Sequence, residues 1–203
     1  MKPASKITAQ IGMEQKPTPP KDSGIEDHNF IILSRTITVE YKTRTTGVTT
    51  HTVVVKATSP YVTHYDGRYH ERDGADLKVK SPHKKVDLGE IVHGLRKFFV
   101  EFEHPLQKDK TETLIMEVTW VHKQQAEHPE AAMVILCPTE FLKFIVHPPR
   151  GERLSNADKI VYLHPGAHKP QSIIEYISTD NHLTWDIPGP KLLLYYQLKW
   201  KWV

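Results

Sequence analysis

At 203 residues the chain is long enough to bury a sizeable core without metal or disulfide staples, and its one cysteine, Cys137, excludes an internal disulfide and fits a reducing compartment. No stretch approaches the roughly 18 apolar residues of a membrane span, and the first thirty residues hold no signal-peptide core, so a cytoplasmic or nuclear protein that is not secreted is expected. A formal charge of +3 is too slight to indicate nucleic-acid binding by itself, although the 13 histidines would make the surface more basic near about pH 6.

Residues 1–28 mix Lys, Glu, Asp, Ser and Pro with few aliphatics and include Pro17, Pro19 and Pro20. Too little apolar surface is present there to offset the entropy of ordering, which predicts a disordered tail. At Asn29 the pattern changes. Phe30 to Leu33 open an apolar run, and Ile37, Val39 and Tyr41 then alternate with Thr36, Thr38, Glu40 and Lys42, as in a half-buried strand. A second β-branched run spans Thr52 to Ala57, so Phe30 to Ala57 reads as a hairpin with its loop around Gly47. Ser59 to Lys85 reads as a long polar loop punctuated by Asp66-Gly67 and Asp73-Gly74.

Val86 to Lys97 carries Leu88, Ile91, Val92, Leu95 and Phe99 at helical spacing, with Asp87 and Glu90 placed as a capping box. One helix packed on a sheet is therefore predicted, weakened by Gly89 and Gly94. Phe98, Val100 and Phe102, then Leu114, Met116, Val118 and Trp120, read as a second hairpin turned at Lys108 to Lys110. Ala131 to Cys137 reads as a strand buried on both faces, and Pro138 to Val146 fits either a helical turn or a strand. Three short apolar segments follow at Ile160 to Leu163, Ile173 to Ile177 and Leu183 to Ile187, spaced as in an antiparallel sandwich or barrel. The last segment, Lys191 to Val203, alternates strictly, with Leu192, Leu194, Tyr196, Leu198, Trp200 and Trp202 on one side. An apolar period of two at a terminus belongs zipped into a sheet, with this face in a core or at an interface. The expected fold is mainly β, with α+β as the alternative: a sandwich or barrel of about eight short antiparallel strands, one helix, and a single globular domain over residues 29–203.

No GxGxxG after a strand, GxxxxGK[ST], GxSxG or HExxH is present, so no catalytic residue and no cofactor is assigned. Cys137 ends an apolar run, where a buried thiol is inert. His64, Asp66, His70 and Asp73 supply imidazole and carboxylate ligands that a loop could fold around zinc or manganese. His164 and His168 stand four apart, but Pro165-Gly166 between them opposes a helix. Lys78, Lys80, Lys84 and Lys85, with Arg96 and Lys97, form one basic patch. Lys199, Trp200, Lys201 and Trp202 set cations beside aromatics, as in nucleic-acid and membrane-surface contacts. The first expectation for function is a non-enzymatic interaction or self-assembly module, coat- or matrix-like by fold analogy. Its contacts run through the tail and an interface of Leu192, Leu194, Tyr196 and Leu198, to a protein partner or to itself. A nucleic-acid binder using the two lysine patches, with peripheral membrane contact as a variant, is the alternative. A metal-dependent hydrolase built on the His/Asp loop comes third.

Overall fold

The computed structural model describes residues 29–70, 75–80, 82–92, 95–124, 129–176 and 181–203; the tail expected over residues 1–28 lies outside them. Thirteen strands and no helix run through the described residues. They are β1 (Phe30–Thr43), β2 (Thr46–Ala57), β3 (Val62–His70), β4 (Asp76–Lys80), β5 (Lys84–Val92), β6 (Leu95–Leu106) and β7 (Thr111–Val121). The chain continues through β8 (Glu130–Val134), β9 (Phe141–His147), β10 (Leu154–Tyr162), β11 (Ser172–Tyr176), β12 (Leu183–Pro188) and β13 (Tyr195–Trp202). A six-stranded sheet has the order β12-β9-β1-β2-β7-β4, a four-stranded sheet the order β11-β10-β13-β8, and a three-stranded sheet the order β3-β6-β5. Pairing is antiparallel except for β1 with β9, which is parallel.

Alternation decides which face of the large sheet is covered. The register sets Val53, Val55 and Ala57 of β2 beside Leu114 of β7 and beside Phe30, Ile32 and Arg35 of β1. Further along the same face lie Ile37, Val39 and Tyr41, with Leu142, Phe144 and Val146 of β9 and Leu183 and Ile187 of β12. The three-stranded sheet covers one half of this face through Val62, Tyr65, Phe98, Val100 and Phe102. The four-stranded sheet covers the other half through Ala131, Ala157, Tyr196, Leu198 and Trp200. One long sheet thus serves two cores.

Several expectations change. The predicted helix over Val86 to Lys97 is β5 and β6, paired across residues 93–94, with Val92 opposite Leu95. Apolar spacings of three and four also fit two paired strands, and two glycines in a helix interior would cost about 1 kcal/mol each. Extra residues between Asp87 and Ile91 form a bulge that hides the alternation. The polar stretch after Ser59 holds β3 and β4. Strands β6 and β7 are consecutive but not partners: β6 lies between β3 and β5, and β7 between β2 and β4. Gly47 is in β2, beyond the turn, opposite Tyr41, and the position requires glycine because a Cβ there would overlap the Trp120 ring and the Glu40 carbonyl. The final strand begins at Tyr195, after Leu193 takes a left-handed conformation with φ of 66° that ends extended pairing.

Candidate functional site

A polar convergence lies on the covered face where the two cores meet. Arg35 of β1 donates through Nη2 to the Tyr65 hydroxyl on β3 and through Nη1 to Met133 Sδ on β8 at 3.1 Å. One guanidinium therefore ties both smaller sheets to the large one. Its Nε is buried without a partner. Burial and the Arg35 charge together hold His51 down to a pKa of about 4, so the imidazole is neutral at pH 7. Burial raises the Tyr65 hydroxyl against the pull of Arg35. Burial likewise pushes the Cys137 thiol up to about 11, which leaves it protonated and a poor nucleophile. The Cys137 thiol donates to the Phe30 carbonyl at 3.5 Å. This seam is built to hold sheets together, with no ionised nucleophile in it.

The residues singled out in the sequence fall in separate places. His64 and Asp66 stand 3.7 Å apart on β3 and are exposed, and His64 also contacts Thr63 Oγ1 at 3.0 Å. Asp73 lies outside the described residues, and so does the His70 side chain; among the described residues no third ligand joins the pair. Lys78 and Lys80 are on β4, with Lys78 3.6 Å from Asp76 and Lys80 2.7 Å from Glu117. Lys85 donates to the Leu77 carbonyl, Lys84 faces Glu101, and Arg96 and Lys97 face Tyr69 and Arg68 across β3. Lys199 and Lys201 belong to β13, in a different sheet from the first patch. Trp200 is 1% exposed and Trp202 buries its indole nitrogen, so their rings pack inward around Tyr41 rather than outward. Tyr196 and Leu198 are core residues, Leu194 packs against the same core, and Leu192 is exposed. The chain's own interior consumes most of the face expected at an interface.

What single-strand reading did not single out is the edge strand β11. Six described strands form sheet edges, and five are blunted in ways that discourage pairing with another chain. β12 carries Asp186, which pairs with Lys143, and ends in Pro188. β4 carries Lys78 and Lys80. β3 is broken by a register shift after Val62 and bears Asp66 and Arg68, while β5 has the bulge and two lysines. β8 opens with Glu130, which accepts from Gln197 Nε2 at 2.6 Å. β11, Ser-Ile-Ile-Glu-Tyr, instead presents Ile173 at 57% and Ile174 at 60% exposure, one on each face of the sheet.

The ladder explains how this exposure arises. Ile174 shares the inner face with Lys159, whose Nζ sits 3.8 Å over the Tyr176 ring, yet no core cluster takes up the Ile174 side chain. On the outer face one row reads Ala132, Gln197, Ile160 and Ile173, and the next Glu130, Lys199, Asp158 and Glu175. Lys199 is thus set between two carboxylates. Beyond the apolar row Tyr162 and Tyr195 meet at 6.0 Å and wall a cavity of about 230 Å³ with Gly166, Ala167 and Gln197. Leu163, at 56% exposure, extends the apolar surface into the loop before β11.

No protein-family model and no curated protein matches this chain. Among solved structures it is similar to the M1 zinc metallopeptidase from Deinococcus radiodurans, with a TM-score of 0.44 and 11% identity over 86% of this chain and 43% of that one. A mutant of that enzyme bound to a Tyr-Ser-Ala substrate gives a TM-score of 0.43 and 11% identity, over 84% and 42% of the two chains. The chain spans less than half the length of these structures. Among the described residues no helix is long and apolar enough to cross a membrane.

Proposed function

We propose that the protein is a non-enzymatic interaction module that takes an extended segment of a protein chain as an added strand along β11. The observation that carries this is the pair Ile173 and Ile174, exposed on opposite faces of edge strand β11, whose only charged residue is Glu175 near its end. An unpaired edge supplies main-chain hydrogen bonds to an incoming strand, and alternate apolar side chains supply the burial on either face. Burying one isoleucine side chain is worth about 1.5–3 kcal/mol before the entropy of association. The acidic setting of Lys199 and the inward packing of Trp200 favour a protein over a nucleic acid as the partner of this sheet.

Titration with a soluble peptide of alternating valine and threonine, followed through backbone amide resonances, tests the reading. Shifts and slowed exchange at residues 172–176 are expected, and Ile174→Lys should abolish them. Shifts spread over other edges, or none at high peptide concentration, would overturn it.

A further inference from the structure

We infer that the strand taken is β11 of a second copy of this chain, paired antiparallel about a two-fold axis through Ile173; this rests on the proposed capture of a strand at β11. Two features of the edge select this occupant and this register. A two-fold axis perpendicular to the sheet keeps outer faces together, so Ile173 can face only an odd-numbered residue of the other copy. Centred on Ile173, the pairing sets isoleucine against isoleucine on the outer face. It then joins Ile160 and Ile173 of each copy into one apolar strip across the new seam, flanked on either side by Gln197.

Charge decides between this register and its neighbour. With the axis at Ile173, Glu175 faces Gln171 of the second copy, whose amide can donate to the carboxylate, and Ile174 faces Ser172. Moving the axis to Ile174 would instead set each Glu175 against an Ile173, covering both isoleucines with carboxylates and desolvating those charges. Pro170, which lacks an N–H, ends the pairing just beyond Gln171. The two four-stranded sheets would become one continuous sheet of eight strands.

Light scattering over a wide concentration range, with the full chain, reads the mass. A rise from 23.4 kDa toward twice that value is expected, with loss of the larger species in Ile174→Lys. Under mild oxidation Ile173→Cys should form a disulfide-linked dimer, because residue 173 faces itself, whereas Ile174→Cys should not. Buried Cys137 leaves the background low. A monomer at every concentration that still shows the valine-threonine peptide shifts at β11 overturns the second copy and spares strand capture; a monomer without those shifts removes both. A dimer unaffected by Ile174→Lys, or cross-linked through residue 174 in preference to 173, also overturns the assignment. Circular dichroism of each variant confirms that its fold is retained, and Ile173→Thr supplies a milder substitution expected to weaken the dimer.

Discussion

His51 offers the sharpest test of the seam between the two cores. Its pKa falls from 6.5 to about 4, first because burial removes the hydration of the imidazolium and second because Arg35 is positively charged. Between these values the unfolded chain binds a proton that the folded chain refuses, so stability falls as pH drops through this window. It is fully present above about pH 6.5 and is lost progressively down to about pH 4. A gap of roughly two and a half pH units at about 1.4 kcal/mol per unit sets a ceiling near 3.5 kcal/mol, and residual solvent around the ring lowers it toward about 2. Urea denaturation of the wild type and of His51→Gln, from about pH 7.5 to about pH 4.5, isolates this contribution from the other titrating groups. The wild type should lose about 2–3 kcal/mol more than the variant over that range. Arg35→Met should raise the His51 pKa part of the way only, since burial is the larger cause. Parallel pH profiles for wild type and His51→Gln, or an imidazole resonance titrating near 6.5, would refute the reasoning.

Three other outcomes follow from packing. Leu198, at 0% exposure between β10 and β8, should cost about 2–5 kcal/mol when changed to alanine, read as a lower urea midpoint at unchanged slope. A Cβ at Gly67 would overlap the Phe98 ring, so Gly67→Ala should cost about 1–3 kcal/mol, and Phe98→Leu in the same chain should cost less than the two single changes added together. With its thiol held up to about 11, Cys137 should resist alkylation near pH 8 in native protein and react promptly in urea; equal rates in both would contradict its burial.

Where one face of a strand is buried, the alternation was legible: Ile37, Val39 and Tyr41 in β1, Phe98, Val100 and Phe102 in β6, and Tyr196, Leu198 and Trp200 in β13 all point inward as their spacing predicts. Partnership was not legible. Sequence neighbours β6 and β7 belong to different sheets, and β9 reaches β1 in parallel, because pairing depends on contacts far apart in the chain. Polar strand β3 escaped notice for a related reason: Tyr65 and Val62 go inward between His64, Asp66 and Arg68, too few apolar residues to outweigh the turn signal of Asp66-Gly67. The edge strand was visible as an apolar segment, yet its exposure could not be read from Ile173 and Ile174. An aliphatic pair looks the same whether a sheet covers it or ends beside it.

The residues that β1 sends into the two cores change parity at a single position. Phe30 and Ile32 enter the first core from even positions of β1, and Ile37, Val39 and Tyr41 enter the second from odd ones. On β2 the inward residues keep strict alternation from Ala57 to Gly47, so β1 must gain one residue, and the ladder does so between Ile32, opposite Val55, and Ser34, opposite Val54. Leu33 is that extra residue. Deleting it would remove the bulge and leave a regular ladder, in which Phe30, Ile32, Arg35, Ile37, Val39 and Tyr41 all still face inward opposite the odd-numbered residues of β2. Leu33→Ala instead keeps the bulge, and since the side chain is only half-buried it should cost about 1 kcal/mol. The deletion variant should thus unfold cooperatively at a urea midpoint close to that of Leu33→Ala. A much lower midpoint for the deletion would mean that the bulge itself, and not alternation alone, is needed to seat both sets in their cores.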